Sequence, residues 1–246
     1  MIEVAAYTHK GKVRRRNEDC IAVGSWLSSE IMDAPRLSRV GLDTPLVCLV
    51  LDGMGGHANG QLAARLAAEN LSQHMPGCVD EAAVRGCIHA ANALIYDRMQ
   101  KEPDSFGMGT TLAGVRIARE GVVAFNVGDS RVYRVQDGFL SQLSVDDVPP
   151  PYPRPGRIAM RSGVITQSLG GAPHYTEIEP HIATQSMAGP RSYLLCSDGL
   201  YDRLPIDAME AALGDDLGES VARLFELAMS AGAPDNVSII LVRAAE

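Results

Sequence analysis

The chain has 246 residues, enough for one large domain or two small ones and for a sizeable core. It is 46% hydrophobic and 21% charged, an ordinary globular composition, and its net charge of −8 argues against a general nucleic-acid binder. No apolar run approaches the roughly 18 residues of a membrane span, and the opening MIEVAAYTHKGK lacks the apolar stretch of a signal peptide, so a cytoplasmic protein is expected.

Taken in order, residues 1–8 read as a first strand and 20–24 as a second, joined by a turn over 11–19. Residues 25–45, with Gly41 and two prolines, read as irregular loop. The next stretch organises the rest: LVCLVL at 46–51 is six apolar residues, followed by Asp52 and then by Gly53, Gly55 and Gly56. A short apolar run bounded by a turn signal reads as a buried strand. The glycines permit backbone turns that a Cβ would hinder. Asn59 is placed to cap a helix at about 59–75 with Leu62, Ala63, Leu66, Ala67 and Leu71 on one face. A second helix at about 80–100 puts Ala83, Cys87, Ala90, Ala91 and Leu94 on one face, with Pro76-Gly77 between the two.

The apolar period then shortens to 2. Strands at 110–117, 122–127, 131–135 and 139–143 are split by Glu120-Gly121, Gly128-Asp129 and Asp137-Gly138, which reads as an antiparallel meander. The run PPPYPRP at 149–155 excludes a helix or a central strand. Strands at 175–183, 192–197 and 237–243 and helices near 205–213 and 217–231 complete one sheet system. The expected fold is α+β, two sheets face to face with helices outside, forming a single domain over 1–246 with a Pro-rich flap at about 144–165. The five cysteines are widely spaced without C-x-x-C, and Cys48 and Cys196 fall inside strands, so they read as small core residues.

Acids recur where the strands end. Glu18 and Asp19 precede CIAV, Asp52 follows LVCLVL, Asp129 follows VVAFNVG, Asp198 follows YLLCS and Asp235 precedes NVSIILV. Each has a turn residue beside it, so they can converge on one rim. Carboxylates a few ångströms apart repel, and one takes a proton unless a cation intervenes. Oxygen-rich clusters without His or Cys suit Mg²⁺ or Mn²⁺ rather than zinc. A two-metal site activates a water for phosphoryl displacement, and that chemistry uses a guanidinium to grip phosphate. Arg14 belongs to the basic run Lys10, Lys12, Arg14, Arg15, Arg16 and stands beside Glu18 and Asp19. The rival is a dinucleotide fingerprint, Gly53-x-Gly55-x-x-Ala58. It would set Asp52 against a pyrophosphate and leaves the acid expected about 20 residues on, Glu69, inside a helix.

The motifs Arg14-x-x-Asn17-Glu18-Asp19, Asp52-Gly53-Met54-Gly55-Gly56-His57, Gly109-Thr110-Thr111, Gly128-Asp129-Ser130-Arg131, Ser197-Asp198-Gly199 and Asp235-Asn236-Val237 occur in one order across the chain. Together they resemble the bacterial PPM-type (protein phosphatase type 2C) serine/threonine phosphatases. The resemblance implies a central β-sandwich of two antiparallel sheets flanked by helix pairs, in four layers, with two to three Mn²⁺ or Mg²⁺ ions. By position, Asp52 would bridge two ions, the Gly53 carbonyl would bind one, and Asp198 and Asp235 would complete the second. Glu18 and Asp19 would act directly or through water, and Asp129 with Asp198 would hold a third ion. Arg14 would bind the substrate phosphate, and a hydroxide bridging the metals would attack phosphorus without a phosphoenzyme. His57 is the candidate proton donor to the leaving alkoxide, because imidazole titrates near neutral pH. The implied partners are a phosphorylated protein and the Ser/Thr kinase pathway it belongs to, for which secretion control is one setting. The chain is expected to be a monomer, with no nucleic-acid or membrane partner.

Three departures stand out. His9 stands where the family usually has Asp, Asp146-Asp147 replaces Asp-His, and the flap is shortened, with Gln167 in place of an arginine. An active enzyme with altered substrate gating is expected. A non-catalytic phosphoprotein-binding module would predict lost ligands, yet Asp52, Asp198 and Asp235 are present. A small-molecule phosphatase is separable from a protein phosphatase by phosphopeptide profiling.

Overall fold

The structure is a computed structural model that describes residues 1–55, 59–150, 164–185 and 192–244. Its first strands are β1 (Ile2–His9), β2 (Cys20–Val23), β3 (Trp26–Ser28), β4 (Arg36–Val40), β5 (Leu46–Leu51) and β6 (Gly53–Met54). Helices α1 (Asn59–His74) and α2 (Glu81–Lys101) follow, then β7 (Gly109–Thr110), β8 (Leu112–Ile117), β9 (Val122–Val127), β10 (Arg131–Gln136) and β11 (Phe139–Gln142). The remainder is β12 (Leu169–Gly170), β13 (His181–Gln185), β14 (Ser192–Cys196), α3 (Asp198–Tyr201), α4 (Ile206–Ala211), α5 (Leu217–Ser230) and β15 (Val237–Ala244).

Two six-stranded antiparallel sheets carry the architecture, in the orders β11-β10-β14-β15-β1-β4 and β13-β9-β8-β5-β2-β3. β5 shows why its run is apolar throughout. Cys48 and Val50 face Leu195, Ile240 and Val242 of the opposite sheet, whereas Val47, Leu49 and Leu51 face the helices, against Ala67, Leu71 and Ile88. A strand covered on both sides has no solvent face to make polar. On the far side, Leu194, Leu241 and Ile239 pack under Val221 and Leu224 of α5. The layers are therefore helix, sheet, sheet, helix, as the resemblance implies.

A third, small sheet, β12-β7-β6, lies at one end. It pairs Gly53 with Thr110 and Met54 with Gly109.

Several local expectations are corrected. Residues 25–45 contain two strands. β2 and β3 form a hairpin through the two-residue loop Gly24-Ser25, with Gly24 at φ +59°. β4 pairs with β1 as the sheet edge, and the two prolines flank it rather than interrupt it. The supposed meander is two hairpins on opposite sheets: β8 pairs with β9, β10 pairs with β11, and the chain changes sheet at Gly128 (φ +92°). β13 begins at His181, and α3 had no periodic signal because it is one turn long.

Both long helices are rotated from the expected phase. α1 buries Ala63, Ala64, Ala67 and Ala68 and leaves Leu62 and Leu66 partly covered; α2 buries Val84, Ile88, Ala91 and Ile95 and exposes Ala90. Small residues are selected on α1 because it approaches closely, with Gly60 against Gly53. Asn59 starts α1, and its amide donates to the Asp104 carbonyl at 2.6 Å. The five cysteines are free and buried. Residues 151–163 of the expected flap lie outside the described residues.

Candidate functional site

The site begins where β5 ends. The Asp52 carbonyl accepts from Thr111 N at 2.9 Å and Thr110 Oγ1 at 3.0 Å, and Asp52 N donates to Thr111 Oγ1 at 3.0 Å. Thr111 Oγ1 is in turn 2.7 Å from Ser130 Oγ, beside Asp129. Gly53 is fixed by space: a Cβ there would overlap the Gly60 and Glu18 carbonyls. Two threonines and two glycines thus hold one carboxylate at the end of a buried strand.

Glu18 and Asp19 arrive from the other side. Asn236 Oδ1 accepts from Glu18 N at 2.8 Å, while its Nδ2 donates to Arg16 O at 2.9 Å and Lys10 O at 3.1 Å. Asp19 is wholly buried, with Oδ2 accepting from Ser238 Oγ at 2.6 Å and Ser197 Oγ at 2.9 Å. Ser197 precedes α3, whose first residue is Asp198, and Asp235 and Asn236 lead into β15. Tyr201 Oη donates to the Asp129 carbonyl at 2.7 Å, joining that loop to α3.

These segments open onto one cavity of about 620 Å³, lined by Glu18, Asp52, Asp129, Asp198 and Asp235, with Gly53 on its wall. Arg14, Arg15 and Arg16 lie at its basic side. Of the expected residues, Asp19 alone stands back from the lining, beneath Asp52. His57 lies outside the described residues. Sequence reasoning passed over Asn236 and the hydroxyls of Thr110, Thr111, Ser197 and Ser238 as positioning groups, although four of these five fall inside the quoted motifs.

The electrostatics follow from burial and crowding. Removal from water raises Asp52 well above the carboxylate range, and Asp19, Asp198 and Asp235 push the same way. Burial lifts Asp19 to about 7 against the pull of its serine hydroxyls. Asp198 also reaches about 7, through burial first and then Asp129 and Asp235. Asp129 rises to about 6, through burial and the nearby Asp146. Such a cluster holds protons or cations.

Among the described residues no three acidic, histidine or cysteine side chains close into a ready-made metal cage. The donor set nevertheless fits hard divalent ions. Asp19 Oδ1 and Asp198 Oδ1 are buried without a hydrogen-bond partner among the described residues, and Asp52, Asp129, Asp198, Asp235 and Glu18 line open space. Ions of the Mg²⁺ type keep several waters and take few direct carboxylates, which an open ring of oxygens accommodates.

The departures have structural consequences. His9 Nδ1 accepts from Gly11 N at 3.0 Å, so an imidazole supplies the acceptor. Asp146 grips Arg131 at 2.7 Å. Asp147 accepts from Gly128 N at 2.8 Å, Gln167 Nε2 at 2.8 Å and His181 Nε2 at 2.9 Å, tying the end of the flap to the Asp129 loop.

Comparison with known proteins gives the family. The protein phosphatase 2C family model matches residues 33–240. The serine/threonine protein phosphatase PstP of Mycobacterium tuberculosis is 32% identical over 253 residues, covering 98% of this chain and 45% of that protein. The chain therefore spans under half the length of that relative. The serine/threonine phosphatase stp of Listeria welshimeri is 30% identical over 256 residues, covering 96% of this chain and 93% of the relative. The crystal structure of the PstP catalytic domain in complex with 2 manganese ions superposes with a TM-score of 0.76 at 30% identity, covering 100% of both chains. With an acid-lined cleft at the end of a four-layer sandwich and this sequence similarity along nearly its whole length, the chain belongs to the protein phosphatase 2C family, in its bacterial PPM-type form.

Proposed function

We propose that this chain is a divalent-metal-dependent protein phosphatase, a single catalytic domain that hydrolyses phosphoserine and phosphothreonine on proteins. The observation that carries the reading is the meeting of Glu18, Asp52, Asp129, Asp198 and Asp235 with Arg14 around one cavity. They come from segments up to 221 positions apart, measured from Arg14 to Asp235. The names of the relatives support the substrate class, and the manganese in the PstP structure supports the choice of metal.

In this reading Asp52, held by its threonines, would bridge two Mn²⁺ or Mg²⁺ ions. Asp198, Asp235, Glu18 and the Gly53 carbonyl would complete their shells, and Asp129 with Asp198 would take a third. Asp19 would support Asp52 from beneath. The ions, when bound, supply polarisation of the phosphoryl oxygens and a water acidic enough to attack at neutral pH. Arg14 would hold the phosphate through its planar fork of donors. The His57 imidazolium would give its proton to the departing alkoxide oxygen.

The finer reading adds a cytoplasmic monomer that opposes a bacterial Ser/Thr kinase. Among the described residues no helix is long and apolar enough to cross a membrane. The deciding experiment is release of phosphate from a phosphothreonine peptide with Mn²⁺, with Mg²⁺ and after chelation. Turnover that chelation abolishes and Mn²⁺ restores is expected; turnover indifferent to chelation would overturn the reading.

A further inference from the structure

The basic run beside the site is more than the phosphate contact requires. Arg14 has a partner in Asp235, whereas the side chains of Arg15 and Arg16, on the same cavity wall, have no hydrogen bond or ion pair among the described residues. Their backbone is anchored all the same. Lys12 N donates to Ala233 O at 2.9 Å, and Asn236 holds the Lys10 and Arg16 carbonyls. Asn17 Nδ2 donates to Thr8 Oγ1 at 2.8 Å. The loop therefore presents two unspent guanidiniums from a fixed frame, at little ordering cost when a ligand arrives.

The wider field makes those charges matter. The protein carries −8 overall, and five carboxylates line the cavity. Among the described residues that line it, an anionic protein segment meets like charge except along this one wall. A guanidinium matches carboxylate or phosphate oxygens with paired donors and is the side chain suited to such a contact.

We propose that Arg15 and Arg16 are specificity-determining residues that select protein segments bearing a second anionic side chain, a carboxylate or another phosphate, close to the phosphoresidue being hydrolysed. The inference rests on the phosphatase reading above. Arg14 takes the phosphate to be cleaved; Arg15 and Arg16 take its neighbour. The contact forms at an exposed rim, so its strength is modest and falls as salt screens it.

The test compares three phosphothreonine peptides that differ only in flanking residues: alanine, glutamate, or phosphoserine. Each is hydrolysed with Mn²⁺ by the wild-type protein, by Arg15→Gln/Arg16→Gln and by Arg15→Glu/Arg16→Glu. The readout is the ratio of kcat/KM between an anionic-flanked and the alanine-flanked peptide, in which a general loss of activity cancels. The wild-type ratio is expected to be about three to ten, arising in KM and shrinking in high salt. It should fall to about one in the glutamine variant and below one in the glutamate variant. The glutamate and phosphoserine arms separate carboxylate from phosphate as the preferred neighbour. A wild-type ratio of one, with the alanine-flanked peptide well hydrolysed, overturns the inference and leaves the phosphatase reading standing. A preference that persists in both variants overturns the assignment to these arginines. Absence of Mn²⁺-dependent turnover on all three peptides removes the phosphatase reading and the inference with it.

Discussion

Arg14 Nη2 lies 2.6 Å from Asp235 Oδ2, so the proposed phosphate ligand and a proposed metal ligand are bonded to each other. The pair is open to water, with Arg14 55% and Asp235 31% exposed, and exposed pairs of this kind contribute little, about 0.2–1 kcal/mol. It can therefore exchange readily: in the proposed reading a cation would take over Asp235 while a phosphate would take over Arg14. Arg14→Ala should raise KM for a phosphothreonine peptide about tenfold or more, since a charged hydrogen bond to phosphate is made in ground and transition states alike. The Mn²⁺ concentration for half-maximal activity should not rise, because the competitor for Asp235 is gone. Steady-state kinetics over a Mn²⁺ series checks both. A fall in kcat with KM unmoved would contradict the role given to Arg14.

The same crowding makes stability depend on pH in a direction that burial dictates. Unfolded aspartates titrate near about 3.9, whereas folded Asp19 and Asp198 stand at about 7 and Asp129 at about 6. Groups with raised folded values bind protons more tightly in the native state. Their contribution is complete below the unfolded value and is lost as pH rises through 6 to 7. Metal-free protein should thus lose melting temperature between pH 5 and pH 8. Divalent ions replace the protons, so the rise in Tm on adding Mn²⁺ should be larger at pH 8 than at pH 5.5. Calorimetry with chelator and with Mn²⁺ at both pH values measures it, and equal rises would count against the acid cluster as the metal site.

How much of this was legible in the sequence depends on the type of signal. The acids could be read because each stands at the end of an apolar run beside a turn residue, and the antiparallel sandwich brings Glu18, Asp52, Asp129, Asp198 and Asp235 to one rim. The double-sided burial of β5 was visible in its unbroken apolar run. Edge and phase were harder. β4, with Arg36 and Arg39 beside Leu37 at 64% exposure, looks like loop because an edge strand need not alternate cleanly. Leucine spacing alone points α1 the wrong way, because close approach to Gly53 selects Ala64 and Ala68 for its buried face. Strand periodicity cannot report a change of sheet, so in sequence β9 and β10 look like neighbours. Hydrogen-bond partners such as Asn236 carry no periodic signature at all.

Asn236 is where such a hidden contribution can be measured. It is 4% exposed and makes three bonds that fasten the arginine-bearing loop and Glu18 to β15. Asn236→Ala leaves one donor and two acceptors without it, at about 1 kcal/mol or more apiece. A loss of about 2–4 kcal/mol in urea unfolding is expected, together with a raised KM as the loop loosens. Asn236→Asp keeps Oδ1 for Glu18 N but loses the donors to Lys10 O and Arg16 O, and should fall between. Unchanged stability in both variants would show that the loop is held elsewhere.

Asp52 and Asp129 both line the cavity, yet their surroundings rank them differently. Asp52 is pushed upward by Asp19, Asp198, Asp235 and Asp129 after burial, which sets it at the electrostatic centre. Asp129 answers to Asp146 and Asp202 instead, at the cluster's edge. Backbone geometry agrees, since Asp52 is fixed by Thr110 and Thr111 through three hydrogen bonds. In the proposed reading, removing a carboxylate at the centre should weaken the metals that would supply several kcal/mol of transition-state stabilisation, whereas one at the edge would touch only the proposed third ion. Asp52→Asn is expected to lower kcat about a hundredfold or more, at 1.36 kcal/mol per decade, even at saturating Mn²⁺. Asp129→Asn should lower it about tenfold or less and act mainly on the Mn²⁺ dependence. Calorimetric titration of Mn²⁺ into each variant supplies the independent count: the Asp52 variant should lose the tighter binding events and the Asp129 variant only the weakest. The reverse order would move the centre of the site from β5 to the Asp129 loop.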